Sequence, residues 1–235
     1  MLCKISDLLI EVPEAGGMAS RCREYQTTET SEADITIDAE EYVNEKWGKY
    51  PLPVAAYMNS GIQFYRGLLH HSGMMLHASA VAVDGKAYLF SGTSGVGKST
   101  HTRLWLAMLG DRAKVFNDDK PALRYLDGVW YAYGTPWCGK DGINSNMKVP
   151  VAGICFLKQG TENSIRRLSP KEASVRVISQ TIRRFRNSER LDLMLGLVDR
   201  LVREIPIYEL TNRPEPEAAR LSYETMRRDA EGSMI

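Results

Sequence analysis

The sequence predicts an α/β protein built on a mixed central sheet, and three observations predict it. Two Asp-Gly pairs, Asp84-Gly85 and Asp127-Gly128, each separate two short apolar runs of strand character, the signal of a tight hairpin. A glycine-rich stretch lies between a strand pattern and a helix pattern. The last third of the chain carries helical periodicity, interrupted by the short strand IYEL at 207–210. Hairpins combined with strand–helix alternation imply both antiparallel and parallel neighbours.

The chain has 235 residues, 43% of them apolar, enough to bury a sizeable core. Residues 1–50 read as short strands among polar turns, with ITI at 35–37 alternating. From Leu52 to His70 the pattern is helical, with Tyr57, Met58, Ile62, Tyr65 and Leu69 at three- and four-residue steps and Gly73 as a stop signal. These elements predict a small N-terminal α+β subdomain over 1–73, appended to a core over 74–235. In the core, 75–83 and 86–91 are the arms of the first hairpin, with His77 inside the first arm. A helix over 101–109 follows the glycine-rich loop. KVFN at 114–117 is a short strand, and 122–126 with 129–133 form the second hairpin. The continuous apolar run 149–157 is a buried strand. Leu191, Met194, Leu195, Val198, Leu201, Val202 and Ile205 make one helix face behind Ser188 as N-cap, and a last amphipathic helix starts near Glu215.

The formal net charge of +1 gives no reason to expect a nucleic-acid or membrane partner. The charge is uneven, with net −6 over residues 1–50 and net +7 over the rest. The acidic end is therefore the poorer place for a phosphate and the remainder the better one. Cys3, Cys22, Cys138 and Cys155 are scattered, which suits neither a zinc site nor a disulfide framework and predicts reduced thiols in the cytoplasm. The apolar stretch at the start is too short for a signal peptide, and no run is long enough for a membrane span.

The stretch Gly92-Thr93-Ser94-Gly95-Val96-Gly97-Lys98-Ser99-Thr100 holds the pattern G-x-x-x-x-G-K-S. Its glycines let successive backbone N–H groups turn inward on a phosphate, and the helix that follows adds its positive end. Lys98 supplies a point charge for the β and γ phosphates, and the Ser99 hydroxyl a ligand for Mg²⁺. Such a pattern arises by chance in roughly one chain in a hundred of this length, and the strand–loop–helix setting makes it rarer still. ATP with Mg²⁺ is the predicted ligand pair. About 20 residues on, Asp118-Asp119 closes a short strand. Phosphoryl transfer needs a carboxylate for the metal and gains from a base at the acceptor hydroxyl. Two adjacent aspartates can divide those roles; as a bare pair they also read as a solvated turn ahead of Pro121.

The loop GTSGVGKST, the preceding His77 and the segment FNDDKPAL together resemble the HPr kinase/phosphorylase and PEP carboxykinase group, and the HPr-kinase-like branch in particular. The resemblance covers about residues 74–125. It implies a P-loop core, ATP- and Mg²⁺-dependent phosphorylation of a hydroxyl, one aspartate of the pair as base, and His77 near the transferred phosphate. The loop ends in Ser-Thr where the bifunctional enzymes have Ser-Glu, and neither their C-terminal signature for phosphorolysis nor their large N-terminal domain is recognisable. The chain thus looks like a smaller relative, similar to HPr-kinase-like proteins of peptide-modification gene clusters, and phosphorylation of HPr itself is not implied.

Further candidates stand with two readings each. His77 is also an ordinary hydrogen-bonded strand histidine. GTPWCGK at 134–140 is either a flap over the phosphates or acceptor, with Lys140 adding charge, or a turn that plugs Trp137 into the core. Arg183, Arg184 and Arg186 make a cluster suited to phosphates or an acidic peptide, or a solvated helix face. The predicted activity is transfer of the ATP γ-phosphoryl group to a hydroxyl, on a serine of a peptide or small protein ahead of a small molecule. Rival readings are a non-catalytic nucleotide sensor and a carboxykinase acting on oxaloacetate. A homo-oligomer is compatible with the sequence.

Overall fold

A computed structural model describes residues 1–139, 141–182, 185 and 187–232. In chain order the elements are β1 (Leu2–Ile5), β2 (Leu8–Glu11), α1 (Met18–Arg21), β3 (Ile35–Thr36), α2 (Leu52–Leu68), β4 (Gly73–Met75), β5 (Ala78–Val83), β6 (Lys86–Ser91), α3 (Lys98–Leu109), β7 (Ala113–Asn117), β8 (Ala122–Leu126), β9 (Val129–Tyr133), β10 (Lys148–Gln159), β11 (Ser164–Arg167), α4 (Pro170–Ser179), α5 (Ser188–Glu204), β12 (Ile207–Asn212) and α6 (Pro216–Gly232).

The large sheet runs β4-β8-β9-β10-β6-β5-β7, with β12 also pairing β10 and β11 pairing β12. It is mixed. β10 runs parallel to β6 and β12 and antiparallel to β9, while β5 is antiparallel to both β6 and β7. β10 is long because it serves several partners: 148–150 pair β9, 151–156 pair β6 and 154–159 pair β12, with a bulge between Val151 and Gly153.

Both faces of the sheet are covered, so its strands are apolar at successive positions. Ala80, Leu89, Ile154 and Phe156 pack toward Val177, Met194, Val198 and Leu201 of α4 and α5. Their neighbours Val81, Phe90, Cys155 and Leu157 pack with Trp105, Ala219 and Met226 of α3 and α6. Residues one apart point to opposite faces, and here both faces are core. At the α3–α6 contact, His101 Nε2 and Trp105 Nε1 each lie 2.9 Å from Ser222 Oγ.

The two Asp-Gly hairpins form where the sequence places them, Asp84 at φ 50° with Gly85 at 77°, and Asp127 at 50° with Gly128 at 82°. A third two-residue hairpin, through Ser6 (φ 57°) and Asp7 (φ 60°), was not legible because neither residue is glycine. Its tip docks on the large sheet. Asp7 Oδ2 accepts from Tyr133 Oη and Lys148 Nζ, both at 2.7 Å, and Arg124 donates to the Ser6 carbonyl at 2.6 Å.

Several expectations need correction. His77 precedes β5 rather than lying inside it. The turn that ends the helix is Ser72 at φ 55°, and Gly73 already opens β4. The buried face of α2 is Ala55, Ala56, Asn59, Ser60, Phe64, Tyr65 and Leu68, so the small residues pack while Met58 is exposed and Tyr57 half-buried. Asn187, one residue before Ser188, is the N-cap of α5. The strand β11 and the capping box Ser169–Glu172 that starts α4 went unread.

Burial depresses the pKa of His101 to about 4 from an ordinary 6.5. The fold therefore favours neutral imidazole, so this contribution is complete above pH 6.5 and is lost as the pH falls from 6.5 to about 4. Between pH 7 and pH 4 the wild type should lose about 3 kcal/mol more stability than His101→Gln. Urea unfolding at the two pH values measures this, and equal losses would contradict it.

Candidate active site

The topology sets the site. β6 and β7 are both antiparallel to β5, which lies between them, so they are parallel to each other and their C-terminal ends reach the same edge of the sheet. The loop after β6 is the glycine-rich stretch, the turn after β7 is Asp118-Asp119, and His77 at the foot of β5 completes the edge. Ligands in open α/β sheets bind beyond the carboxyl ends of the strands.

The loop has the backbone a phosphate cradle requires. Gly92, Gly95 and Gly97 take φ values of 144°, 80° and 108°, and Gly97 is the N-cap of α3. Side chains rarely adopt these angles, and at Gly92 a Cβ would also sit 3.0 Å from Val96 Cγ1. The Lys98 ammonium folds back to the carbonyls of Gly92 and Thr93 at 3.2 and 3.4 Å. Burial lowers its pKa, and the charges of Asp119 and Asp118 oppose that effect.

The aspartate turn is shaped by Asn117, which is fully buried. Its Oδ1 accepts from the backbone N–H of Asp119 at 3.1 Å and of Lys120 at 2.8 Å. Its Nδ2 donates to the Thr135 carbonyl at 3.1 Å. The two aspartates then differ. Asp119 Oδ1 lies 3.2 Å from His77 Nε2, and its other oxygen bonds Lys120 Nζ. Burial pushes the Asp119 carboxyl up, but the His77 hydrogen bond and the Lys120 ammonium outweigh it and hold the group below its ordinary range. Asp118 Oδ1 is buried and has no hydrogen-bond partner among the described residues. His77 Nδ1 faces Gln180 Oε1 at 3.0 Å, and the backbones of the same two residues bond at 2.8 Å.

His77, Gly95, Gly97, Lys98, Asp118, Asp119 and Lys120 line one open cleft of about 620 Å³, together with Ser94, Ser99, Thr100, Gly139, Tyr57, Met58, Cys138 and Arg21. Trp137 is fully buried, stacked on Phe64 with centroids 4.6 Å apart and donating to Ser60 Oγ at 3.0 Å. That plug presents the next two residues, Cys138 and Gly139, to the cleft; a Cβ at Gly139 would come 3.0 Å from the Asp118 carbonyl. Burial raises the Cys138 thiol pKa, which leaves it a poor nucleophile. Lys140, Arg183, Arg184 and Arg186 lie outside the described residues.

Sequence reasoning missed Lys120, Asn117, Tyr57 and Arg21. Lys120 and Asn117 flank the aspartate pair and could have been noticed there. Arg21 had no signal, and it places one residue of the acidic N-terminal segment on the cleft wall. Among the described residues no three His, Cys, Asp or Glu side chains gather as a metal cage. A Mg²⁺ ion that travels with phosphates needs only one or two carboxylates beside phosphate oxygens and water. The unpartnered Asp118 oxygen in the cleft that Ser99 also lines fits that lesser demand.

Lys120→Met should raise the titration midpoint of Asp119, because burial would remain while a cation is lost. Carboxyl carbon NMR against pH measures it; an unmoved midpoint would show that His77 alone sets the group.

A family model described as SynChlorMet cassette protein ScmC matches residues 54–213. Comparison with curated proteins finds no match. Among solved structures, the Hpr(Ser) kinase/phosphatase from Coxiella burnetii is similar over 68% of this chain and 92% of that chain, at 14% identity and a TM-score of 0.38. That likeness is too slight to carry fold or function across. The ScmC match takes in the glycine-rich loop, the aspartate turn and the Trp137 loop, and it spans well over half of the sequence. The chain belongs to the ScmC family of SynChlorMet cassette proteins.

Proposed function

We propose that this protein is an ATP- and Mg²⁺-dependent kinase that transfers the γ-phosphoryl group to a hydroxyl, on a serine of a peptide or small protein. The observation that carries the reading is the contrast between the two aspartates: one carboxylate oxygen buried without a partner among the described residues, the other carboxylate with its pKa lowered by His77 and Lys120, both beside the glycine-rich loop.

The loop amides from Gly92 to Ser99 and the N-terminus of α3 bind the triphosphate, and Lys98 leaves its carbonyl contacts for the β and γ oxygens. Ser99 and Asp118 hold the metal side of the nucleotide. When bound, Mg²⁺ neutralises charge that builds on the phosphate oxygens. Asp119 accepts a hydrogen bond from the acceptor hydroxyl. As the acceptor oxygen bonds to the γ phosphorus, the bond from that phosphorus to the β–γ bridging oxygen breaks, ADP leaves with the electron pair, and the hydroxyl proton passes to Asp119. Such transition states are loose, so the proton moves late and a weak base suffices. His77 and Lys120 orient that base. Gln180 in turn orients His77 from the end of α4.

Lys98→Ala should weaken Mg-ATP binding by about 10- to 100-fold, the range for a lost charged hydrogen bond, and calorimetry reads it directly. Asp119→Asn should lower phosphoryl transfer by about a hundredfold or more with ATP affinity retained. Asp118→Asn should lower transfer and also blunt the response to added Mg²⁺. Wild-type turnover in both aspartate variants would sink the kinase reading, and unchanged ATP affinity in a folded Lys98→Ala variant would sink nucleotide binding at this loop.

A further inference from the structure

The family match begins at residue 54, yet one wall of the cleft is built from upstream of it. Arg21 is the last residue of α1. The turn before that helix packs directly on α2, where a Cβ at Gly16 would fall 2.3 Å from Ala56 Cβ. This close approach sets α1 beside Tyr57. The Arg21 guanidinium carbon then stands 4.5 Å above the Tyr57 ring. The ring itself is fixed, because Tyr57 Oη donates to the Cys138 carbonyl at 3.0 Å and accepts from Lys120 Nζ at 3.2 Å.

Arg21 and Lys120 thus share one aromatic ring but differ in what they hold. Lys120 is engaged by Asp119. Among the described residues Arg21 makes no hydrogen bond or ion pair, so its planar set of donors is presented to the cleft on a rigid aromatic support. A second groove of about 330 Å³ adjoins the cleft and shares Arg21 and Cys138 with it; Ser20, Arg23, Glu24, Pro136, Gly142 and Asn144 complete its lining. A ligand whose reacting group reaches Asp119 can therefore continue past Arg21 into that groove. An acidic ligand would be repelled by the aspartate pair, and an unengaged guanidinium at the junction offsets that repulsion at close range.

We infer that Arg21 is a specificity-determining residue that binds a carboxylate of the phosphoryl acceptor, and that the acceptor is an acidic peptide lying through the cleft into the adjoining groove. The inference rests on the kinase reading for the meaning of the cleft, but it is tested by binding as well as by turnover.

The probes are two fluorescein-labelled pentapeptides, Gly-Glu-Ser-Glu-Gly and Gly-Gln-Ser-Gln-Gly, titrated with protein in the presence of Mg-ADP. The acidic peptide should bind at least about tenfold more tightly, the scale of one charge-assisted hydrogen bond. Arg21→Ala should remove that preference while ADP affinity stays as in the wild type. Arg21→Lys should restore only part of it, because an ammonium neither stacks on Tyr57 nor bonds a carboxylate in bidentate fashion. Equal binding of the two peptides, no binding of either, or an Arg21→Ala variant with undiminished preference would overturn the inference. So would a parallel loss of ADP affinity, which would place Arg21 on the donor phosphates. Free glycerate competing as well as the acidic peptide would overturn the peptide part. Adding labelled Mg-ATP separates the two readings: acidic peptide bound through Arg21 with no label transferred leaves the carboxylate site standing and sinks the kinase.

Discussion

The side chain of Asn117, buried at the end of β7, ties together two of the segments that line the cleft, the aspartate turn and the Trp137 loop. Its oxygen takes two backbone N–H groups of the aspartate turn, and its nitrogen donates to both the carbonyl and the hydroxyl of Thr135 at the start of the Trp137 loop. Thr135 Oγ1 then donates to the Lys120 carbonyl at 2.9 Å, closing the circuit. Removing the amide would leave several buried polar groups unpaired, each at a cost of about 1–3 kcal/mol. Such a turn is held in one shape. The orientations of Asp118, Asp119 and Lys120 follow from it, and so does the close approach of Gly139 to the Asp118 carbonyl.

The sheet delivers this turn to the glycine-rich loop without any special device. β5 lies between two strands that both run against it, so the ends of β6 and β7 share an edge. The same pairing brings the Ala78 N–H to the Asp119 carbonyl at 3.1 Å, which seats His77 beside Asp119. Helices on both faces keep that edge rigid. Local packing and chemistry are thus coupled: the continuous burial along β5 and β6 marks them as central strands, and their centrality decides which loops meet.

Charge in the cleft is divided unevenly. Asp119 is surrounded by His77 and Lys120, whereas the inner oxygen of Asp118 faces none of the described donors. Burial makes both Lys98 and Asp119 costlier to ionise, and the opposite charges they face counter this. In Lys98 burial prevails, and in Asp119 its neighbours prevail. Two neighbouring carboxylates thereby acquire different environments, which is how one pair of like residues can serve two roles.

Elements set by short-range signals were legible in the sequence. The Asp-Gly hairpins, the glycine loop between strand and helix and the continuous apolar run of β10 depend on φ preferences and runs of residue type, both of which act within a few residues. The Ser6-Asp7 hairpin was not legible, because neither turn residue is glycine; its tip is held by Tyr133, Lys148 and Arg124 from far along the chain. Of the expected α2 stripe Tyr65 and Leu69 are buried while Met58 is exposed, because Gly16 and Trp137 approach the helix so closely at Ala56 and Gly61 that larger side chains do not fit there. At the site, the sequence by itself determined the glycine-rich loop and the aspartate turn, since each is carried by adjacent residues. Only the tertiary structure decided that Gln180 meets His77 across 103 positions, that Asn117 and Thr135 shape the turn, and that Arg21 of the acidic segment stands in the cleft. Those contacts are made by packing between distant elements, and no local pattern of residue types encodes them.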